Sequence, residues 1–220
     1  MVLVIDAQVA GISGDMLLSS LVNMGANKSK ITDGSYSIEE FLKGSKITKM
    51  NFEKTVKYGT EATYLVLETS ENYHERKGID IQECILSTSD KIGLSENAKV
   101  FAKESIRSLL HAESNIHGEP LESVHFHEAS SIDTAIDIIG SAIALDDLKL
   151  FSDEIVSTPV AVGGGTLTFS HGTVSNPASA ILEIFRSSDI AICGGQAKEE
   201  LTTPTGASLL VNLADRCSEF

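Results

Sequence analysis

The spacing of apolar residues changes period several times along the chain, and each change predicts an element. Val2 to Ile5 is a short continuous apolar run closed by Asp6, the pattern of a buried strand. From Gly14 to Met24 apolar residues recur at helical spacing, and Gly25 supplies a stop. Ser37-Ile38-Glu39-Glu40 has the letters of a capping box for a short helix. From Ile47 to Glu68 the residues alternate, many of them β-branched, with a break at Tyr58-Gly59-Thr60; this predicts a β-hairpin or ribbon. A helix from Asp80 to about Lys91 follows. Next comes a Ser95-capped helix, Glu96 to about Asn115, expected to turn Val100, Phe101, Ile106, Leu109 and Leu110 toward the core. Ser131 to Leu148 is apolar almost all round, as a buried helix must be.

The last third is more broken. Ile155 to Val162 reads as a strand, and Gly163-Gly164-Gly165 before Thr166 to Phe169 reads as a tight hairpin rather than a ligand cradle. Asn176-Pro177 is read as a cap with proline at the first position of a helix to about Arg186. A short strand, Ile190 to Cys193, precedes a final helix from Ser208 to about Asp215. Strands at the start, middle and end with helices between them predict an α/β class: a layered mixed sheet with packed helices, plus a β-hairpin-containing insertion. One domain over residues 1–220 is expected, with a candidate subdomain at 46–116. The strand order is not legible.

Composition narrows the function classes. At 42% hydrophobic and 22% charged, the chain is an ordinary globular sequence, and without Trp its core must be mainly Ile, Leu, Val and Ala. A net charge of −14 with no basic run disfavours nucleic acid, whose binding needs Lys and Arg on phosphates. Cys84, Cys193 and Cys217 are too far apart for a CxxC pair or a disulfide framework. No apolar run reaches the roughly 18 residues of a membrane helix, and Asp6 comes too early for a signal peptide. A cytoplasmic location away from membranes is expected.

Candidate chemistry concentrates between His117 and Asp137. His125 and His127, if extended, point to one side and can share an ion with Glu128 beside them. Two surface histidines flanking a buried Phe126 explain that stretch equally well. The next helix shifts the balance, because Asp133 and Asp137, four apart, share a face of a buried helix. Buried carboxylates cost several kcal/mol unless paired, hydrogen-bonded or metal-bound. One site from His125, His127, Glu128, Asp133 and Asp137 is the economical reading, with a ligand set suited to Ni, Zn, Mn or Fe. His117 either joins these ligands or only ends a helix.

Other candidates lie at the chain's ends and in its loops. In Ala10-Gly11-Ile12-Ser13-Gly14-Asp15-Met16, the glycines allow close backbone approach and the helix start favours an anion. Asp15 is a dipole partner of that helix, or else a group for a metal or a substrate hydroxyl. His74 and Arg76 lie in a polar stretch from which an anion is within reach. Thr203-Pro204-Thr205-Gly206 reads equally as a phosphate seat at a helix start and as an ordinary cap.

Four motifs in order, AGISGDM at Ala10–Met16, VHFHE at Val124–Glu128, HG at His171–Gly172 and ELTTPTGA at Glu200–Ala207, resemble the LarC family of nickel insertion proteins. The resemblance covers essentially the whole chain, and it is specific as a set rather than motif by motif. It implies insertion of Ni(II), a cyclometallation that forms Ni–C and Ni–S bonds, into pyridinium-3,5-bisthiocarboxylic acid mononucleotide. That is a lyase-type chelatase step in nickel-pincer cofactor biosynthesis, driven by CTP hydrolysis with Mn or Mg held by a further domain. The family pattern continues beyond Phe220 into a C-terminal CTP-binding half. The expected partners are therefore the pyridinium mononucleotide and that half or a partner chain, with a homo-oligomer left open.

On this reading His117, His125, His127 and Glu128 hold the metal, and Asp15, Asp133 and Asp137 act in catalysis. Gly11, Ser13, Gly14, His74, Arg76, His171, Thr203, Thr205 and Gly206 bind the substrate. Relatives carry a His-rich segment where this chain has only His74 and Arg76. Two further classes remain: a non-catalytic nickel or divalent-metal-binding module, and, ranked last, a metal-dependent hydrolase.

Overall fold

The helix that the others surround is α5, Ser131–Asp147, where Ile132, Ile136, Ile138 and Ile139 are all completely buried. Its near-continuous apolar sequence leaves no solvent face, so neighbours cover it on every side. In this computed structural model, residues 2–57, 59–72, 76–126, 131–169, 172–194 and 197–219 are described. Packed on α5 are α1 (Gly14–Met24), α2 (Lys28–Tyr36), α3 (Gly78–Lys91), α4 (Glu96–His117) and α7 (Pro204–Val211). α6, Ser179–Arg186, packs in turn on α4 and α7.

A small parallel sheet lies against this helical layer. It has the order β1 (Val2–Ile5), β6 (Glu154–Ser157), β11 (Arg216–Cys217), and a second parallel pair joins β7 (Val160–Ala161) to β10 (Ile192–Cys193). The long antiparallel ribbon is β2 (Ser45–Lys57) with β3 (Thr60–Glu71), and β3 packs on α1. Two shorter antiparallel pairs complete the set: β4 (Arg76–Lys77) with β5 (His125–Phe126), and β8 (Thr166–Phe169) with β9 (Gly172–Ser175). The expected α/β class with mixed strand directions is what the chain adopts. Among the described residues no helix is long and apolar enough to cross a membrane.

Several elements differ from expectation, each for a physical reason. Ser37–Glu40 is a 3-10 turn that continues out of α2; Ser37 donates back to the Asp33 carbonyl, and Glu39 accepts from the Ile47 N–H instead of closing a capping box. Val100 is 57% exposed, because the apolar stripe of α4 runs through Ala98, Phe101, Ala102, Ile106, Leu109 and Leu110. The strand expected over Ile155 to Val162 is split at Thr158-Pro159 into β6 and β7.

The three glycines precede the β8–β9 hairpin rather than forming its turn. α6 starts at Ser179 with Ala178 as its cap, while the Asn176 amide donates to the carbonyls of Gly164, Lys198 and Glu199 and ties two loops together. The last helix begins at Pro204, four residues earlier than Ser208, because Thr203 caps it. β11, which follows, was not anticipated from its sequence.

Candidate functional site

The first and last of the four motifs interlock beyond the carboxyl end of β1, where parallel α/β sheets commonly hold ligands. Gly11 takes a left-handed backbone (φ 66°), and its N–H donates to the Ala7 carbonyl at 3.2 Å. The Ile12 N–H donates to the Thr202 hydroxyl at 3.3 Å, and that hydroxyl donates to the Ala161 carbonyl at 2.7 Å. The Thr203 N–H returns to the Ile12 carbonyl at 3.0 Å. A side chain on Gly11 would meet the Leu201 and Ala161 carbonyls, and one on Gly206 would meet the Ile12 carbonyl. These two glycines are the price of backbone-to-backbone contact between motifs more than a hundred and fifty residues apart. Thr202, which carries the junction, was overlooked in the sequence because the next residue already explained the helix start.

Gly14 brings the buried helix α5 to this junction. The space where its side chain would stand is filled by the Asp137 carboxyl of α5. Asp137 is half-buried, and its carboxyl is pushed well above the ordinary value, by burial first and then by the negative charges of Asp15 and Asp133. Among the described residues no hydrogen-bond partner meets it. Ser13 donates to the exposed Asp15 carboxylate, and Thr69 of β3 donates to Asp133 at 3.2 Å. The ribbon was read from sequence only as scaffold. Its period-two alternation is the signal that places Thr69 on the face turned to α5.

The starts of the two helices differ in what they leave free. At α7 the Thr203 hydroxyl accepts from the Gly206 N–H at 3.1 Å, Pro204 has no N–H, and Thr205 is buried. An ordinary cap thus accounts for Thr203 and Gly206. Ser13 makes no side-chain cap at α1, so the first N–H groups of that helix keep their capacity for an anion.

The remaining candidates are more dispersed. His125 is half-buried on β5, paired in register with Lys77, while Phe126 beside it is buried and pairs with Arg76. The Arg76 guanidinium donates to the Lys43 carbonyl at 2.6 Å and the Ser45 hydroxyl at 2.9 Å, and lies 3.5 Å from Glu71. Those contacts tie β4 to the foot of the ribbon. His117 is exposed at the end of α4, 3.3 Å from Glu113, before Gly118 ends the helix. His74, His127, Glu128 and His171 lie outside the described residues. Among the described residues no three His, Cys, Asp or Glu side chains are grouped closely enough to hold a metal ion.

The fold and site together define a class: a mixed α/β protein whose first and last motif loops close beside the carboxylates Asp15, Asp133 and Asp137 and an uncapped helix start. The chain belongs to the nickel insertion protein family, whose model matches residues 3–220. A protein of Staphylococcus saprophyticus named pyridinium-3,5-bisthiocarboxylic acid mononucleotide nickel insertion protein is 39% identical over 207 residues, which cover 93% of this chain and 49% of the relative. A protein of the same name from Clostridium kluyveri is 36% identical over 225 residues, covering 96% of this chain and 53% of the relative. The chain thus spans about half the length of the curated relatives it matches. No solved structure matches it.

Proposed function

We propose that this chain is the nickel-handling and substrate-binding half of an insertase that places Ni(II) in pyridinium-3,5-bisthiocarboxylic acid mononucleotide, acting with a CTP-binding half. The observation that carries the proposal is Asp137: a half-buried carboxyl without a hydrogen-bond partner among the described residues, set between Asp15 and Asp133 beside the junction of the first and last motifs. Such a group is costly to leave charged, and it becomes favourable when a cation or a proton arrives. Metallation of a ring carbon releases one proton. A carboxyl whose affinity for protons is raised by its surroundings is a better base than an ordinary Asp for taking it.

In this scheme His125 and His127, with Glu128 and His117, hold Ni(II) as the metal to be transferred. Imidazole and carboxylate are ligands that bind Ni(II) without being too soft to release it. Asp15 and Asp133 hold the field around Asp137, and Ser13 and Thr69 fix their orientation. The open start of α1 at Gly11–Gly14 receives the substrate's phosphate or carboxylate groups, with His171, His74 and Arg76 as further anion contacts. Thr203, Thr205 and Gly206 hold that loop in place. Mn or Mg with CTP belongs to the other half.

The test is calorimetric titration of Ni(II) into the chain, alone and with the other half of a relative plus CTP. Stoichiometric binding that disappears in His125→Ala/His127→Ala is expected. No Ni(II) affinity under either condition would overturn the reading. Nickel binding without cofactor formation when the other half and CTP are present would leave a metal-binding module instead.

A further inference from the structure

The loop between β1 and α1 is held at each end by a buried threonine from another segment. The Ala7 N–H donates to the Thr158 hydroxyl at 2.9 Å, and the Ile12 N–H donates to the Thr202 hydroxyl at 3.3 Å. The two ends are not equally secured. The Ala7 carbonyl also accepts from the N–H groups of Gly11 and Ala161, at 3.2 and 3.0 Å. Among the described residues the Ile12 backbone is held by the last motif alone, its N–H by Thr202 and its carbonyl by the Thr203 N–H. Glycines stand on either side of that turn, at 11 and 14, and the Ser13 side chain makes no cap there.

We infer that Thr202 is a positioning residue for the substrate seat: its hydroxyl fixes the Ile12–Gly14 turn against β7 and so sets where the start of α1 meets the substrate's anionic groups. A residue that positions another must itself be fixed, and Thr202 is. It is completely buried, and its hydroxyl donates to the Ala161 carbonyl at 2.7 Å, which leaves the oxygen's lone pairs for Ile12. Upstream, the Asn176 amide holds the Glu199 carbonyl at 3.0 Å; downstream, Thr203 caps α7. The same turn carries Gly14, whose missing side chain makes room for the Asp137 carboxyl, so one hydroxyl aligns the helix start with the carboxylates. Without it the Ile12 N–H and the Ala161 carbonyl lose their bond to Thr202 in a buried site, and the turn relieves them by moving about its two glycines.

This inference rests on the substrate-binding reading above but not on nickel. The test is calorimetric binding of pyridinium-3,5-bisthiocarboxylic acid mononucleotide to the chain and its variants, without metal. Thr202→Val keeps the shape and removes the hydroxyl; it is expected to weaken binding about tenfold or more. Thr202→Ser restores the hydroxyl and should bind within about threefold of the parent. Thr158→Val removes the corresponding hydroxyl at the better-held end of the loop. It should lower the melting temperature as Thr202→Val does, yet keep the affinity within about twofold. Thr202→Cys, a weaker donor and acceptor, should fall between Ser and Val and takes the place of Val where that variant does not fold. Amide exchange over Ala10–Met16 should quicken in Thr202→Val and not in Thr158→Val.

Equal affinity in the parent and Thr202→Val overturns the inference and keeps the function. So does a Ser variant as weak as Val, which assigns the effect to the lost methyl. A Thr158→Val variant as weak as Thr202→Val also overturns it, because lost stability then explains both. A parent that binds no mononucleotide, alone or with the other half, removes the functional reading and this inference together, a result distinct from equal affinities.

Discussion

Asp137 illustrates how a candidate functional group is picked out by what its surroundings fail to supply. Its carboxyl is pushed up by burial and by Asp15 and Asp133, and among the described residues nothing donates to it. The sign of its effect on stability follows from linkage. The folded chain binds the proton more tightly than the unfolded chain does, so stability is highest below the unfolded value near 3.8 and falls as pH rises through the raised folded value. Asp137→Asn keeps the shape and removes the titration. It should therefore stabilise the chain by about 1 kcal/mol at neutral pH and flatten the loss of stability between pH 4 and neutrality, read by urea denaturation. Cofactor formation should fall steeply in the same variant. An Asn variant less stable than the parent at pH 7 would show that the charged form has a partner. Asp147 behaves oppositely. Its Lys30 and Asn27 contacts hold it below the ordinary value, so its contribution is lost as pH falls.

At the scale of elements, the motifs act as joints. Gly206 stands where a Cβ would press on the Ile12 carbonyl and the Ser13 Cα, and backbone on both sides leaves nothing flexible to move. Gly206→Ala should cost about 2–4 kcal/mol in denaturant unfolding, whereas Gly194→Ala, with open space around it, should be near neutral. Ser95, whose hydroxyl accepts from the Ala98 N–H and caps the 22-residue α4, should lose about 1 kcal/mol on change to Ala.

These joints mark the limit of what the sequence could show. The helices α1, α3, α4 and α5 and the ribbon were legible because their apolar periods are long and uninterrupted. The two-residue strands β4 and β11 have no period to read, and β7 and β10 were legible only as parts of longer apolar runs. Asn176 was mistaken for a cap because an Asn-Pro pair has the same letters whether it starts a helix or pins three carbonyls from other loops. Of the candidate site, the spacing of Asp133 and Asp137 on a buried helix was enough to find them. That Gly14 makes room for Asp137 is a tertiary fact with no local signal, and the ribbon's alternation gives the face of Thr69 but not its reach to Asp133 across 64 positions.

For the molecule as a whole, the charge of −14 and the carboxylates around Asp137 predict two responses to ions that differ in size and origin. Monovalent salt screens the general repulsion among exposed carboxylates and should raise the melting temperature gradually, with no saturation at stoichiometric amounts. A divalent ion that occupies the proposed site acts by binding to the folded state, adding about 2.7 kcal/mol when its concentration is a hundred times its dissociation constant. At matched ionic strength, nickel should therefore raise the melting temperature more than magnesium, because imidazole ligands favour the borderline ion over the hard one. The nickel-specific part should vanish in His125→Ala/His127→Ala, and the salt-dependent part should persist. Equal responses to nickel, magnesium and sodium at matched ionic strength would reduce the cluster to surface charge and take away the ground for a nickel-handling role.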